Sequence, residues 1–154
     1  MRLTLMVFAL VGVSTPALAD WQATKWGMTS AEVVSATGNA AKPNTDPDAD
    51  SDELLAMPYK EAGIKFTASF EFDDKTMLLS GIKLVPEEGK CAKAFDMLKA
   101  NHGAPTTSTK GAIGDMDRWQ DVGGSTRIMA LALPSRSAAK DCTITFRPLV
   151  ALKK

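Results

Sequence analysis

A regular alternation of apolar and polar residues between positions 64 and 72 constrains the fold more than any other feature of the sequence. Every second position carries an apolar side chain: Ile64, Phe66, Ala68, Phe70 and Phe72. The positions between them are polar: Lys65, Thr67, Ser69 and Glu71. This pattern predicts a β-strand that covers a core on one side only. After a turn at 73–75, a partner strand is predicted with Leu78, Ile82 and Leu84 on the buried side.

Two helices are predicted from their capping and termination signals. Thr29 and Glu32 have the capping-box spacing, in which each side chain satisfies a backbone N–H of the first turn. This helix is predicted over 30–37, with Gly38 as the residue that ends it. A second helix ends at Gly103. Its inward stripe has the i, i+3, i+4, i+7 spacing and consists of Cys91, Ala94, Phe95 and Leu98.

The order of these signals occurs twice along the chain. Residues 119–123 repeat the aromatic, polar, acidic, small apolar and glycine pattern of residues 59–63. Residues 142–148 likewise resemble 81–86, a strand that ends before proline. Such self-similarity indicates an internal repeat of one helix followed by two or three antiparallel strands.

One such unit has too little core to be stable alone, so we expect the two to share a single core. The sequence therefore predicts one α+β domain over 20–154. Its architecture is two fused helix-plus-antiparallel-sheet units, at about 26–86 and 89–149, that form one sheet with helices on one face. Phe70 and Leu131 are predicted at related core positions.

Two cysteines, Cys91 and Cys142, are predicted to form a disulfide. One lies on the inward stripe of a helix and the other on the inward side of a strand, and in an oxidising compartment an even count favours pairing over two buried free thiols. A metal site would need more ligands than are present, because His102 is the only histidine and no C-x-x-C occurs.

The first nineteen residues are typical of a secretory signal. A basic start is followed by an apolar run too short to span a bilayer, and then by the small-x-small site Ala17-Leu18-Ala19. Cleavage after Ala19 would leave Asp20 at the N-terminus, where a lipoprotein would carry cysteine. We therefore expect a periplasmic or secreted protein without a membrane anchor.

Two short motifs resemble those of a known group of proteins. Gly27-Met28-Thr29 followed by Val33 and Gly38, together with the helix-ending His102-Gly103-Ala104-Pro105, is similar to small bacterial envelope modules of the BamE and beta-lactamase-inhibitor-protein type. The resemblance implies a tandem helix-plus-sheet fold and a tendency to bind proteins. It implies no functional residue, because the shared residues cap and end helices.

Charge excludes one class of partner. The 18 basic and 18 acidic residues balance, and no run of Lys or Arg could follow a phosphate backbone, so nucleic acid is not an expected partner. The arginines of the mature chain all lie in its C-terminal half: Arg118, Arg127, Arg136 and Arg147. A solvated surface is favoured over an anion site for them.

No catalytic, metal or cofactor motif is found. The alternating Asp46, Asp48, Asp50 and Asp52 resemble the start of a calcium loop, but Ser51 and Met57 occupy the positions that need glycine and a bidentate acid, so a solvated loop is favoured. For His102, capping the helix C-terminus is favoured over a general base. The sequence predicts no cofactor and no enzymatic activity.

The expected function is docking of another envelope protein on the outer side of the sheet. This surface is predicted to be small or apolar and poor in charge, and to comprise Thr67, Ser69, Met77, Leu79, Ile128, Ala130, Thr143 and Thr145. Self-association, or cover by the loop 41–52, would also bury it. The alternatives are a carrier of a small apolar ligand and a hydrolytic enzyme that uses His102.

Of the large aromatics, Trp26 is predicted in the core and Trp21 in solvent.

Overall fold

The computed structural model describes residues 21–112, 114–122, 125–133 and 142–149, so the predicted signal peptide and Arg136 lie outside the described residues. The helices and strands, in chain order, are α1 Ser30–Ala36, β1 Lys42–Pro43, β2 Glu53–Glu61, β3 Ile64–Phe72, β4 Leu79–Pro86, α2 Cys91–His102, β5 Thr107–Gly111, β6 Gly114–Val122, β7 Thr126–Ala132 and β8 Cys142–Pro148. Within these ranges no helix is long and apolar enough to cross a membrane.

The strands form one eight-stranded antiparallel sheet in the order β1-β2-β3-β4-β8-β7-β6-β5. Each helix is followed by four strands that pair with their neighbours in sequence, and the two sets meet where β4 pairs with β8. The α+β class is therefore confirmed. Each set has more strands than the two or three predicted, because the short outer strands β1 and β5 carry no alternating pattern.

The helices and one side of the sheet share a single hydrophobic core. Val33 of α1 and Ala94 and Leu98 of α2 belong to the same buried cluster as Phe70 and Ile82 of the central strands. We call this side of the sheet the core face and the opposite side the outer face. The predicted alternation of β3 is confirmed, since all five of its apolar positions are buried.

The predicted orientation of β7 is wrong. Ile128 and Ala130 are buried in the core at 1% and 0% exposure, whereas Leu131 is half-buried on the outer face and is not equivalent to Phe70. Both sides of this strand are apolar, so alternation alone does not orient it. Arg127 decides the orientation, because the charged side chain that shares a side with Leu131 must reach water.

Leu79 is also in the core, at 0% exposure, and not on the outer face. The reason is a β-bulge: Phe72 pairs with Leu79, but Glu71 pairs with Gly81, so β4 has one extra residue at this point. The extra residue shifts the alternation at the start of β4. Leu78 is consequently half-buried instead of fully buried.

The two helices are anchored in different ways. In α1 the predicted capping box is confirmed, with the Thr29 N–H donating to Glu32 Oε2 at 2.7 Å, and Gly38 follows with a φ of 61°. α2 has no side-chain cap at its first turn. It is instead joined to β8 by the predicted disulfide between Cys91 and Cys142, which is confirmed.

The segment before α1 is part of the core, which corrects the expectation for Trp21. Its ring is 7% exposed and packs edge-on against Tyr59 and Phe70, with centroids 5.0 and 5.8 Å apart. Trp26 packs partly buried against the same core, and its indole N–H donates to Thr126 Oγ1 at 3.2 Å. The N-terminal segment thereby contacts strands from both sets.

Candidate functional site

The outer face collects part of the predicted binding surface. Thr67 and Ser69 of β3 lie on it, and so do Thr143 and Thr145 of β8, by their strand register, but Ser69 and Thr145 are buried there, at 5% and 9% exposure. Met77 is exposed, but it lies in the turn between β3 and β4 and not in a strand. Leu79, Ile128 and Ala130 are core residues, as described above. The surface is thus smaller and more polar than predicted.

The half of the outer face formed by β2, β3 and β4 contains an ion pair between the half-buried Lys83 and the buried Glu53. The Lys83 ammonium contacts the Glu53 carboxylate and also lies 3.4 Å from Asp50 Oδ2. Burial alone would lower the pKa of Lys83, but the Glu53 and Asp50 carboxylates outweigh it and raise that pKa. Because the Glu53 side chain is 3% exposed, Lys83 supplies the positive charge that its buried carboxylate requires.

A second buried carboxylate, Glu71, lies beside this pair. Arg147 Nη2 is 2.5 Å from Glu71 Oε2, although that oxygen accepts no hydrogen bond from the described residues. Burial raises the pKa of Glu71, Arg147 opposes that shift, and the nearby Asp52 and Glu53 add to it. Gly81 makes room for the carboxylate, since a Cβ at that position would collide with it. The expectation of an outer face poor in charge is therefore wrong.

The other half of the outer face contains three arginines around one groove. Arg118, Arg127 and Arg147 line a cavity of about 390 Å³ together with Gln120, Met129 and Thr145. Arg127 of β7 is the direct cross-strand partner of Arg147 of β8, and Arg118 of β6 is the partner of Met129. We call this cavity the arginine groove.

Two of these arginines have no acidic partner in the part of the chain that the structure describes. The Arg118 Nε–H donates to Met116 Sδ at 3.1 Å, and no carboxylate forms an ion pair with Arg118 or Arg127 there. Asp73 lies beside Arg127 and Arg147 in a neighbouring cavity of about 350 Å³. Hydrogen bonds from Thr76 and Lys75 to the Asp73 carboxylate hold its pKa below the ordinary value.

The sequence shows that the arginines of the mature chain lie in its C-terminal half, but it does not show that three of them converge. The sequence did contain one indication, namely the side of its strand on which each arginine falls. Arg127 and Arg147 each mark the outer side of a strand, and neighbouring strands with outward arginines place them on one surface. The sequence does not show that β6, β7 and β8 are adjacent in the sheet. It also does not show which of their residues are opposite one another, so the convergence could not be predicted.

The acidic loop stands beside the first half of the outer face. Asp46 and Asp48 line a groove of about 380 Å³ with Lys65, Lys83 and other residues of β3 and β4. Two turns shape the loop: the Asp46 backbone N–H donates to Asn44 Oδ1 at 3.1 Å, and the Asp48 backbone N–H donates to Asp46 Oδ1 at 3.0 Å. Among the described residues, no group of three or more His, Cys, Asp or Glu is arranged to hold a metal ion.

His102 lies at the end of α2, next to a polar cluster around Glu61. The Glu61 carboxylate accepts hydrogen bonds from the Tyr59 hydroxyl at 2.7 Å and from Asn101 Nδ2 at 2.9 Å. Partial desolvation lowers the pKa of His102, while Glu61 opposes the shift. No hydroxyl or thiol of the described ranges hydrogen-bonds to His102, so these residues present no activated nucleophile there.

Comparisons with known proteins found one similar solved structure and no matching family. No protein-family model matches it, and no curated protein matches it. A solved structure of a DUF4309 family protein (YjgB) from Bacillus subtilis subsp. subtilis strain 168 is similar over 78% of each chain, with 10% sequence identity and a TM-score of 0.44. A similarity this low carries no argument about function, and the resemblance to BamE-type modules is not confirmed by it.

Proposed function

We propose that this chain is an exported binding or assembly module that docks another envelope protein on the outer face of its sheet. The predicted signal peptide supports export, and the disulfide between Cys91 and Cys142 is compatible with it. We further propose that the module consists of two fused helix-plus-sheet units, at about 26–86 and 89–149. The twofold succession of one helix and four strands supports that division.

The arginine groove is the observation that carries this proposal. Like charges directly opposite each other in a sheet are unfavourable, so Arg127 beside Arg147 does not help the fold. Arg147 is compensated by Glu71, whereas Arg127 is exposed and has no carboxylate partner among the residues described. Arginine is enriched at protein interfaces, where its fork of donors and its apolar stem both contribute. Folding accounts for the outward direction of Arg127, and binding of a partner accounts for its position directly opposite a second arginine.

Site-specific crosslinking in the native periplasm tests the proposal. Met129 lies half-buried in the arginine groove, and Lys93 is exposed on α2, away from the outer face. A photoreactive p-benzoylphenylalanine at position 129 should give a crosslinked product with an envelope protein, and the same group at position 93 should not. Adding Arg127→Glu should remove the product. Equal crosslinking from both positions, or none from 129, would refute docking at this face.

The carrier alternative has one feature in its favour. An open depression of about 820 Å³ between α2 and strands β5 to β7 is lined by apolar residues that include Phe95, Pro105 and Ala132, and also by the charged residues Lys99, Lys110, Asp115 and Asp117. A carrier should copurify with a small apolar molecule, which solvent extraction and mass spectrometry of the exported protein would find. The hydrolytic alternative predicts loss of activity in His102→Ala, but the surroundings of His102 described above do not favour it.

A further inference from the structure

The arginine groove carries more positive charge than the fold uses. Three arginines border it, and Glu71, the one compensating carboxylate among the described residues, approaches Arg147 from a buried position at 5% residue exposure. Asp73 accepts hydrogen bonds from its own turn and forms no ion pair with Arg127 in the described part of the molecule. Arg118 and Arg127 therefore present two charges toward solvent from a concave surface.

The register gives the spacing of those two charges. Arg118 is opposite Met129, which is two residues beyond Arg127 on the same strand. Their Cα atoms are consequently offset by about 7 Å along the strands and by about 5 Å, one strand spacing, across them. Carboxylates at alternate positions of an extended peptide lie on one side of it and are also about 7 Å apart. Guanidinium groups bind carboxylates through paired, charge-assisted hydrogen bonds.

From this match we propose that the arginine groove binds an extended acidic segment of the partner protein, with Asp or Glu at alternate positions. This inference rests on the proposed function and names the chemistry of the partner at the same site. The groove volume of about 390 Å³ suits several residues of an extended chain and is large for a single inorganic anion. The segment runs along β6 and β7, so that its alternate carboxylates reach Arg118 and Arg127, and the long arginine side chains span the offset of about 5 Å between the two strands.

Labelled peptides test the inference directly. The probe is a fluorescein-labelled peptide with glutamate at alternate positions, Glu-Ser-Glu-Ser-Glu, and the control peptide has glutamine in place of glutamate. Fluorescence anisotropy with the full mature chain should show binding of the first peptide and about tenfold weaker binding of the second. Binding should weaken as salt is raised, because the groove is open to solvent.

Matched charge reversals locate the site. Arg127→Glu should weaken binding of the glutamate peptide by about tenfold or more, whereas Lys65→Glu makes the same charge change on the other half of the outer face and should leave it within about twofold. Equal losses in the two variants would show a response to net charge alone and would overturn the inference. Displacement of the peptide by inorganic phosphate at equal concentration would overturn it too, as a general anion site.

A second copy of this chain could also occupy the arginine groove, and measurements on the mature chain alone would detect it. Residues 46–52 themselves carry aspartate at alternate positions. Sedimentation of the mature chain should show a monomer, and a dimer that Arg127→Glu dissociates would overturn the inference in favour of self-association. If the periplasmic crosslink at position 129 forms but the glutamate peptide does not bind, the docking proposal stands and the acidic segment is rejected.

Discussion

The two halves of the outer face differ in whether their basic side chains have acidic partners within the protein. In the half built by β2, β3 and β4, Lys83 is matched by Glu53 and Asp50 within the protein. In the half built by β6, β7 and β8, Arg118 and Arg127 have no such partners among the residues that the structure describes. The Lys83 charge is needed by the fold itself, because it compensates the buried Glu53 carboxylate. In the second half, among the described residues, only Arg147 has such a role, through its ion pair with Glu71.

The two halves also differ in how clearly the sequence shows which side of a strand faces the core: the orientation of β3 is evident from its sequence, and that of β7 is not. In β3 the inward side carries aromatic rings and the outward side carries polar groups. In β7 the inward side holds Ile128 and Ala130, and the outward side holds Met129 and Leu131. Measurements that contrast the two halves therefore test the structure most sharply.

The largest contrast is expected between Phe70→Ala and Leu131→Ala. Phe70 is fully buried, so its truncation should lower the free energy of unfolding by about 3 to 5 kcal/mol. Leu131 is half-buried on the outer face, and its truncation should cost below about 1 kcal/mol. Urea unfolding of the two variants measures both values. Similar losses would mean that Leu131 is a core residue and that β7 has the opposite orientation.

The second contrast concerns the anchors of the two helices. The disulfide closes a segment with a sequence separation of 51, and its reduction should lower the free energy of unfolding by about 4 kcal/mol on the chain-entropy account. Thr29→Ala removes the side-chain cap of α1 and should cost about 1 kcal/mol. Thermal unfolding of the unmodified protein with and without reductant measures the effect of the disulfide. Thermal unfolding of Thr29→Ala without reductant measures the effect of the cap. A cap effect larger than the reduction effect would contradict this ranking.

Replacement of one cation in each half tests the charge comparison itself. Lys83→Met leaves the Glu53 carboxylate buried without its main partner and should cost about 3 kcal/mol. Arg127→Met removes an exposed side chain without an acidic partner in the described residues and should change stability by less than about 0.5 kcal/mol. Both substitutions remove one positive charge, so net charge is controlled. Equal destabilisation in urea would show that Arg127 also serves the fold.

The smallest effect is a pH dependence with a defined sign. Because burial raises the pKa of Glu71, the native state binds more protons than the unfolded state above pH 4.5, the ordinary value, up to the raised native value. The contribution of Glu71 to stability is thus present at low pH and lost as pH rises through that interval. In Glu71→Gln the free energy of unfolding should fall less over this range than in the unmodified protein.

Glu32→Gln is the control of opposite sign. Hydrogen bonds from Thr29 lower the pKa of Glu32, so its contribution is present above pH 4.5 and is lost as pH falls through the lowered native value. Urea unfolding at a series of pH values compares the two variants with the unmodified protein. Identical pH profiles for Glu71→Gln and the unmodified protein would show that Glu71 does not titrate in this interval.

Signals that act within a few residues were sufficient to predict several elements. The capping box of α1, the glycine after each helix and the side of β3 that faces the core are confirmed because each depends on local backbone geometry or on strong chemical alternation. The disulfide was also predictable, since its two cysteines lie on inward-facing positions and had no competing partner. The short strands β1 and β5 were missed because no alternation marks them.

The sequence by itself determined the α+β class, both helices, the orientation of β3 and the cysteine pair. Only the tertiary structure decided the orientation of β7, the displacement of Leu79 into the core and the convergence of Arg118, Arg127 and Arg147. The reason is that local signals arise within one turn or one strand, whereas these features depend on register and on strand order. The junction of β4 with β8 joins residues about sixty positions apart, and no pattern within either strand specifies that pairing.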